Sequence, residues 1–255
     1  MSDVEEKLVL SLSGSGDTAI LPYLPYLLQD LWELGSIPED MVRLLRDHGA
    51  LDASSRVLAL ACGRGAAAVA IAKAFGCQVK GIDLMEDFIQ DARHRAKEHG
   101  VGDRVTFAVA DINRAVRDET GYDATILGAV GDVLGDPSET LSLLRETVRP
   151  GGLILIDDGY CEDHDEDPVY HTRSQWLAWI RDSGLAILEE AETDLQELIR
   201  IDRFNQAHIE QRADELIETY PDDAELFHEY VRRQQAECDD IEQRVTSVVW
   251  VLQRR

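Results

Sequence analysis

The chain has 255 residues, 44% hydrophobic and 29% charged, which suits one α/β domain with a sizeable core and room for a helical insertion. Fifty acidic against 25 basic residues leave a net charge of −25, a surface that repels phosphate backbones and argues against nucleic acid as a partner. No apolar run reaches the roughly 18 residues of a membrane span, and the acidic start "MSDVEEKL" lacks the basic and apolar parts of a signal peptide, so a cytoplasmic protein without a membrane partner is expected.

Residues 20–34, "ILPYLPYLLQDLWEL", predict a short amphipathic helix after Pro25. Tyr23, Tyr26 and Trp32 are too apolar to lie free on solvent. "PEDMVRLLRDHG" predicts a second helix, with Pro38 in its first turn, Glu39 and Asp40 at its positive end and Gly49 at its stop. From residue 56 strands and helices alternate. "RVLALA" reads as a buried strand, "AAAVAIAKAFG" as a helix, "QVKGID" as a strand and "LMEDFIQDARHRAKEHG" as a helix. "RVTFAVAD" and "YDATILGAV" read as successive strands. "ETLSLLRETVRPGG" is a helix broken by Pro150 and Gly151, and "LILIDDG" a strand. "RSQWLAWIRDSG" is a helix and "LAILEEAET" a strand. Such alternation implies parallel βαβ units with right-handed crossovers.

After residue 194 the period changes. Residues 195–243 are charged and mostly helical, broken at "YPDD", and "RVTSVVWVLQRR" closes the chain as a strand. The apolar positions of the insertion fall at helical spacing and give one docking face and one wet face. That pattern predicts a lid over a ligand; a dimerisation surface is the competing account, so a homodimer stays open.

The stretch "VLALACGRG" follows the first strand with small residues, at the rim where a parallel sheet binds ligands. Asp83 ends the second strand, 18 residues beyond Gly65, where an acid can take both hydroxyls of a ribose. Asp83 also heads "DLME", which resembles a capping box with Glu86. Asp111 ends the third strand at the same rim, and with the Ile112 N–H offers an acceptor–donor pair for an adenine edge.

The ordered set "VLALACGRG", "GIDL", "VADI", "YDATILGAV" and "VRPGGLILID" resembles the class I S-adenosylmethionine-dependent methyltransferases. The resemblance covers roughly residues 37–194 and the last strand. It implies an α/β, Rossmann-like, seven-stranded and mostly parallel sheet with an antiparallel last strand between the fifth and sixth, plus a helical cap and insertion. The corresponding domains are an N-terminal helical cap at 1–50, an S-adenosylmethionine-binding core at 51–194, a lid at 195–243 and a final strand at 244–255. It further implies that Ala61, Gly63 and Gly65 line the methionine part of S-adenosyl-L-methionine, that Asp83 holds the ribose and that Leu84 packs on the adenine. Asp111 and Ile112 would read the adenine edge, and Leu127 and Gly128 would face the amino group and sulfonium. Two positions depart from the family pattern: Ala59 stands where an acid is usual and Ala61 where a glycine is usual.

The expected acceptor is a small molecule, with Asp132 and Tyr160, just beyond the fourth and fifth strands, as candidate catalytic groups. Gly63, Gly65 and Ala68 also fit G-x-G-x-x-A, a dinucleotide fingerprint, which keeps a nicotinamide dehydrogenase as an alternative. No lysine is preceded at four residues by a tyrosine, which counts against the short-chain dehydrogenases. A catalytically silent cofactor-binding protein is a further alternative. The loop "YCEDHDEDPVYH" presents Asp157, Asp158, Glu162, Asp163, His164, Asp165 and His171, a set read as a solvated acidic loop rather than a metal site.

Overall fold

The computed structural model describes residues 3–13, 17–163 and 170–255; His164 and Asp165 of the acidic loop lie outside them. The chain begins with α1 (Asp3–Ser13), a 3-10 turn at Thr18–Tyr23 and the short α2 (Leu24–Leu27). α3 (Pro38–His48) leads into β1 (Arg56–Leu60), α4 (Ala66–Phe75), β2 (Gln78–Asp83), α5 (Glu86–Glu98) and β3 (Val105–Val109). Next come α6 (Ile112–Asp118), β4 (Tyr122–Gly128), α7 (Pro137–Thr147), β5 (Val148–Tyr160), α8 (Arg173–Asp182) and β6 (Leu185–Glu192). α9 (Leu195–Thr219) and α10 (Ala224–Gln243) precede β7 (Thr246–Arg254).

The chain divides into two compact units, one of residues 32–192 with 248–255, the other of residues 1–31 with 193–247. The first holds a seven-stranded sheet in the order β3-β2-β1-β4-β5-β7-β6. β1 pairs in parallel with β2 and β4, β2 with β3, and β4 with β5. β7 lies between β5 and β6 and runs antiparallel to β6, as the resemblance implied.

Alternation along the strands sends successive side chains to opposite faces. Val57 and Ala59 of β1 join Leu44 of α3, Val69 of α4 and Ile89 of α5 in one apolar layer. Leu58 and Leu60 join Val116 of α6, Leu144 of α7 and Trp176 of α8 in the other. Helices on both faces explain why the strands read as continuous apolar runs rather than alternating ones.

Two readings of the sequence change. Residues 112–118 form α6, which the sequence pattern did not disclose; Asp111 is its N-cap, accepting the Asn113 N–H at 2.9 Å. α7 stops at Thr147, and the "VRPGG" stretch already belongs to β5. The register jumps there, from Tyr122 opposite Val148 to Ala124 opposite Leu153. This bulge accommodates Pro150, which has no N–H for a regular ladder.

In the second unit α9 and α10 are joined by a 3-10 turn at Pro221–Asp223, where the sequence placed its break. The short helix expected after Pro25 contracts to the one-turn α2, which a 3-10 turn precedes. Tyr23 is nonetheless covered, packing edge-on against Phe227 at 4.9 Å between ring centroids. Tyr26 donates to Glu215 at 2.5 Å, and Arg212 clasps Asp30 and Glu215. Among the described residues no helix is long and apolar enough to cross a membrane.

Candidate functional site

The reversal of strand order falls between β1 and β4, and the carboxyl ends of β1, β2 and β4 surround it. The turn after β1 is shaped by its own neighbours. Ala61 has φ +48°, a left-handed conformation that a side chain disfavours. Gly65, φ +80°, begins α4, and a methyl on it would meet the Phe107 ring at 2.8 Å and Ala92 at 2.9 Å. Its smallness therefore serves close helix–strand packing. Gly63 leaves its N–H to Asp83 at 2.8 Å. The Arg64 side chain turns inward to Asp91 at 3.0 Å and lies over the Phe88 ring, while Trp32 Nε1 donates to its carbonyl at 3.0 Å.

Asp83 is 7% exposed. Burial pushes its carboxyl up, against the pull of backbone N–H donors from Met85 and Gly63. The capping-box reading is corrected by the structure: the N-cap of α5 is Met85, and Asp83 instead bridges the β1 turn to the start of α5. A carboxylate accepts about four hydrogen bonds, so this bridge leaves capacity for further donors. Leu84 beside it is half-buried. Asp111 uses Oδ1 for both the Asn113 N–H and its Nδ2, at 2.9 and 3.0 Å, which leaves Oδ2 for another donor; Ile112 next to it is buried. Leu127 is buried at the end of β4. A methyl on Gly128 would sit 2.0 Å from the Ser36 hydroxyl oxygen. Ala59 is enclosed in the apolar layer beneath α4.

Beyond β4 and β5 a small concavity, open to solvent and with room for about one water, is walled by Leu127, Val130, Ile156, Trp176 and three carboxylates, Asp132, Asp157 and Asp158. Asp157 and Asp158 are half-buried by area yet sit within this concavity, so water solvates their charge poorly. Burial raises Asp157 to about 6, helped by Asp40, and Asp158 to about 7, helped by Asp157 and Asp132. His171 lies 3.7 Å from Asp132, which raises its pKa, and its ring stands edge-on to Trp179. Asp132 thus lines the pocket. Tyr160 does not: it is 4% exposed in the apolar layer, and its hydroxyl donates to Glu192 at 3.3 Å. Asp158, which the sequence offered only as a member of an acidic loop, is brought to the pocket by the length of β5, and His171, ahead of α8, stands beside Asp132. The doubled acid ending "LILIDD" was the one signal for Asp158.

A mostly parallel sheet with helices on both faces, a glycine turn after its first strand and acids ending its second and third define a Rossmann-like cofactor-binding protein. The chain belongs to the methyltransferase-domain family, whose model matches residues 51–201. It is 28% identical to the methyltransferase GfsG of Streptomyces halstedii over 185 residues, 66% of this chain and 65% of that one. It is 33% identical to YjhP of Escherichia coli over 106 residues, 42% of each. The chain thus spans about two-fifths to two-thirds of the length of such curated relatives. In fold it is similar to an S-adenosylmethionine-dependent methyltransferase from Geobacter sulfurreducens in complex with S-adenosyl-L-homocysteine. That similarity has a TM-score of 0.77 at 22% identity, covering 92% of this chain and 98% of that one.

Proposed function

We propose that the protein transfers a methyl group from S-adenosylmethionine to a small-molecule acceptor. The observation that carries this reading is the acceptor set at the rim: Asp83 with spare acceptor capacity, Asp111 with Oδ2 available, and a neighbouring wall of carboxylates. Hydroxyls, an exocyclic amine, an ammonium and a sulfonium all suit acceptors and negative charge. The diphosphate of a nicotinamide dinucleotide does not, so the dehydrogenase reading is less well supported. Family membership and fold similarity to a solved S-adenosylhomocysteine complex add support.

On this reading Asp83 holds the ribose hydroxyls, Leu84 packs on the adenine, and Asp111 with the Ile112 N–H reads its edge. Ala61, Gly63 and Gly65 form the turn beside the methionine part, with Leu127 and Gly128 facing its amino group. S-adenosylmethionine bound there supplies an electrophilic methyl. Asp158, titrating near neutrality, is placed to accept a proton from an acceptor, and Asp132 with His171 sets the charge beside it. Tyr160, committed to Glu192, takes no part in this scheme.

Calorimetry with S-adenosylmethionine, S-adenosylhomocysteine and NADH tests the cofactor, and labelled methyl transfer tests the activity. Binding of NADH alone overturns the reading; cofactor binding without transfer to any acceptor leaves a silent binding protein. The role of residues 195–243 as a lid belongs to the same proposal and rests on their place between β6 and β7 in the chain. Hydrogen exchange of α9 and α10 is expected to slow when S-adenosylhomocysteine and an acceptor bind together, independently of protein concentration. Protection that follows concentration alone identifies a dimer surface instead.

A further inference from the structure

The crevice between the ends of β1 and β4 is crossed by a segment without regular secondary structure, residues 32–36. Trp32 fastens it to the turn after β1. Its Nε1 donates to the Arg64 carbonyl at 3.0 Å, and its ring stacks on His99 and carries the Arg95 guanidinium 5.1 Å from its centroid. Leu34 then lies over Gly63, with Cδ1 3.3 Å from where a methyl on that glycine would stand. Gly35 presses on Ala129, just past β4, and the Ser36 hydroxyl fills the space beside Gly128. Consecutive residues thus run from one wall of the crevice to the other, and α3 follows with Pro38 in its first turn.

Two further features suit this segment to movement. It is held by side-chain contacts and not by a backbone ladder, so lifting it breaks no ladder. Among the described residues two that are not glycine have left-handed backbone, Ala61 at φ +48° and Ala129 at φ +52°, and they stand on opposite walls of the crevice. Strain of this kind gathers at ligand clamps and switches, where surrounding contacts maintain it. Gly35, at φ +100°, supplies a pivot with no side chain to resist rotation.

We infer that residues 33–36 are a strap that gates the cofactor crevice. The strap lifts about Gly35, with Trp32 and α3 as its fixed ends, admits the methionine part of S-adenosylmethionine and reseats over it. The inference rests on the cofactor reading above and adds the step that limits entry. Gly63 and Gly128, proposed there to face the methionine part, are the residues that Leu34 and Ser36 cover. Ligand and strap therefore compete for the same faces until the strap lifts. On that reading the adenosine part lies on the far side of β1, at the ends of β2 and β3, so its entry does not require the strap to move. Reseating over the methionine part keeps water from the sulfonium.

The test is stopped-flow binding to the full chain, read by tryptophan fluorescence, with S-adenosylhomocysteine and with 5′-methylthioadenosine, which lacks the amino-acid end. For S-adenosylhomocysteine the observed rate is expected to level off as concentration rises, because lifting of the strap becomes limiting. For methylthioadenosine it is expected to stay linear. Leu34→Ala removes the cover on Gly63, and Gly35→Ala adds a methyl for which Ala129 leaves no room while the strap is seated. Each is expected to raise the plateau by about threefold or more, and to speed dissociation as well. A linear rate for S-adenosylhomocysteine, a plateau that neither variant moves, or the same plateau for both ligands overturns the strap. Calorimetry separates the two levels of the argument. If S-adenosylhomocysteine does not bind, the cofactor reading falls and the strap with it; if it binds and any of those three results is found, only the strap falls.

Discussion

Ala61 and Asp83 show how single residues set the turn after β1. At φ +48° an alanine costs about 1–2 kcal/mol that a glycine avoids, partly offset by the greater freedom of glycine in the unfolded chain. Ala61→Gly is therefore expected to stabilise the protein by roughly 0.5–1 kcal/mol, read as a higher urea midpoint at unchanged slope. A lower midpoint would show that the alanine methyl contributes packing that outweighs the strain. Asp83 joins the Gly63 and Met85 N–H groups across the β1 and β2 ends. Asp83→Ala is expected to weaken S-adenosylhomocysteine binding by about 1.5–3 kcal/mol, the usual worth of hydrogen bonds to a charged group. The measurement is calorimetry, with circular dichroism as the check on folding.

Among the elements, β5 matters most because it is long enough to carry two adjacent acids into the pocket. Both are raised, to about 6 and about 7, above an ordinary unfolded value of roughly 4. Between about pH 4 and 7 the folded state therefore holds more protons than the unfolded one. Stability contributed by these groups falls as pH rises through that window and levels off above it. The urea midpoint of the wild type should decline across the window, and Asp158→Asn should decline less steeply. Equal slopes would place the titration elsewhere. The "RPGG" stretch teaches a related lesson: proline and glycine announce the end of α7, yet a bulge lets the same residues begin β5. Sequence punctuation marks a change of structure, not which structure follows.

For the whole molecule the decisive quantity is the net charge of −25. Exposed like charges repel, and salt shortens the range of that repulsion. Raising KCl from 0.1 to 1 M is expected to raise the Tm by several degrees. A falling Tm would mean that the surface ion pairs, such as Arg232 with Glu225 and Glu229, outweigh the self-repulsion.

The order of strands and helices was legible in the sequence because strands buried on both faces become unbroken apolar runs, and helices end at glycines such as Gly76. The acids ending β2 and β3 were legible too, since they follow such runs at fixed spacing. α6 was not, because seven mixed residues after Asp111 carry too little periodicity to register. Nor could the sequence tell that Gly65 is small for the sake of Phe107 and Ala92, or that Tyr160 points into the core while Asp158 faces the pocket. Those facts depend on residues far apart in the chain meeting in space: β3 against α5, β5 against α8 and β6. Local pattern fixes which segment is a strand and where it stops. Which way its last side chains turn, and whether a terminal acid meets water or a wall of other acids, is decided by the neighbours that the sheet order brings to it.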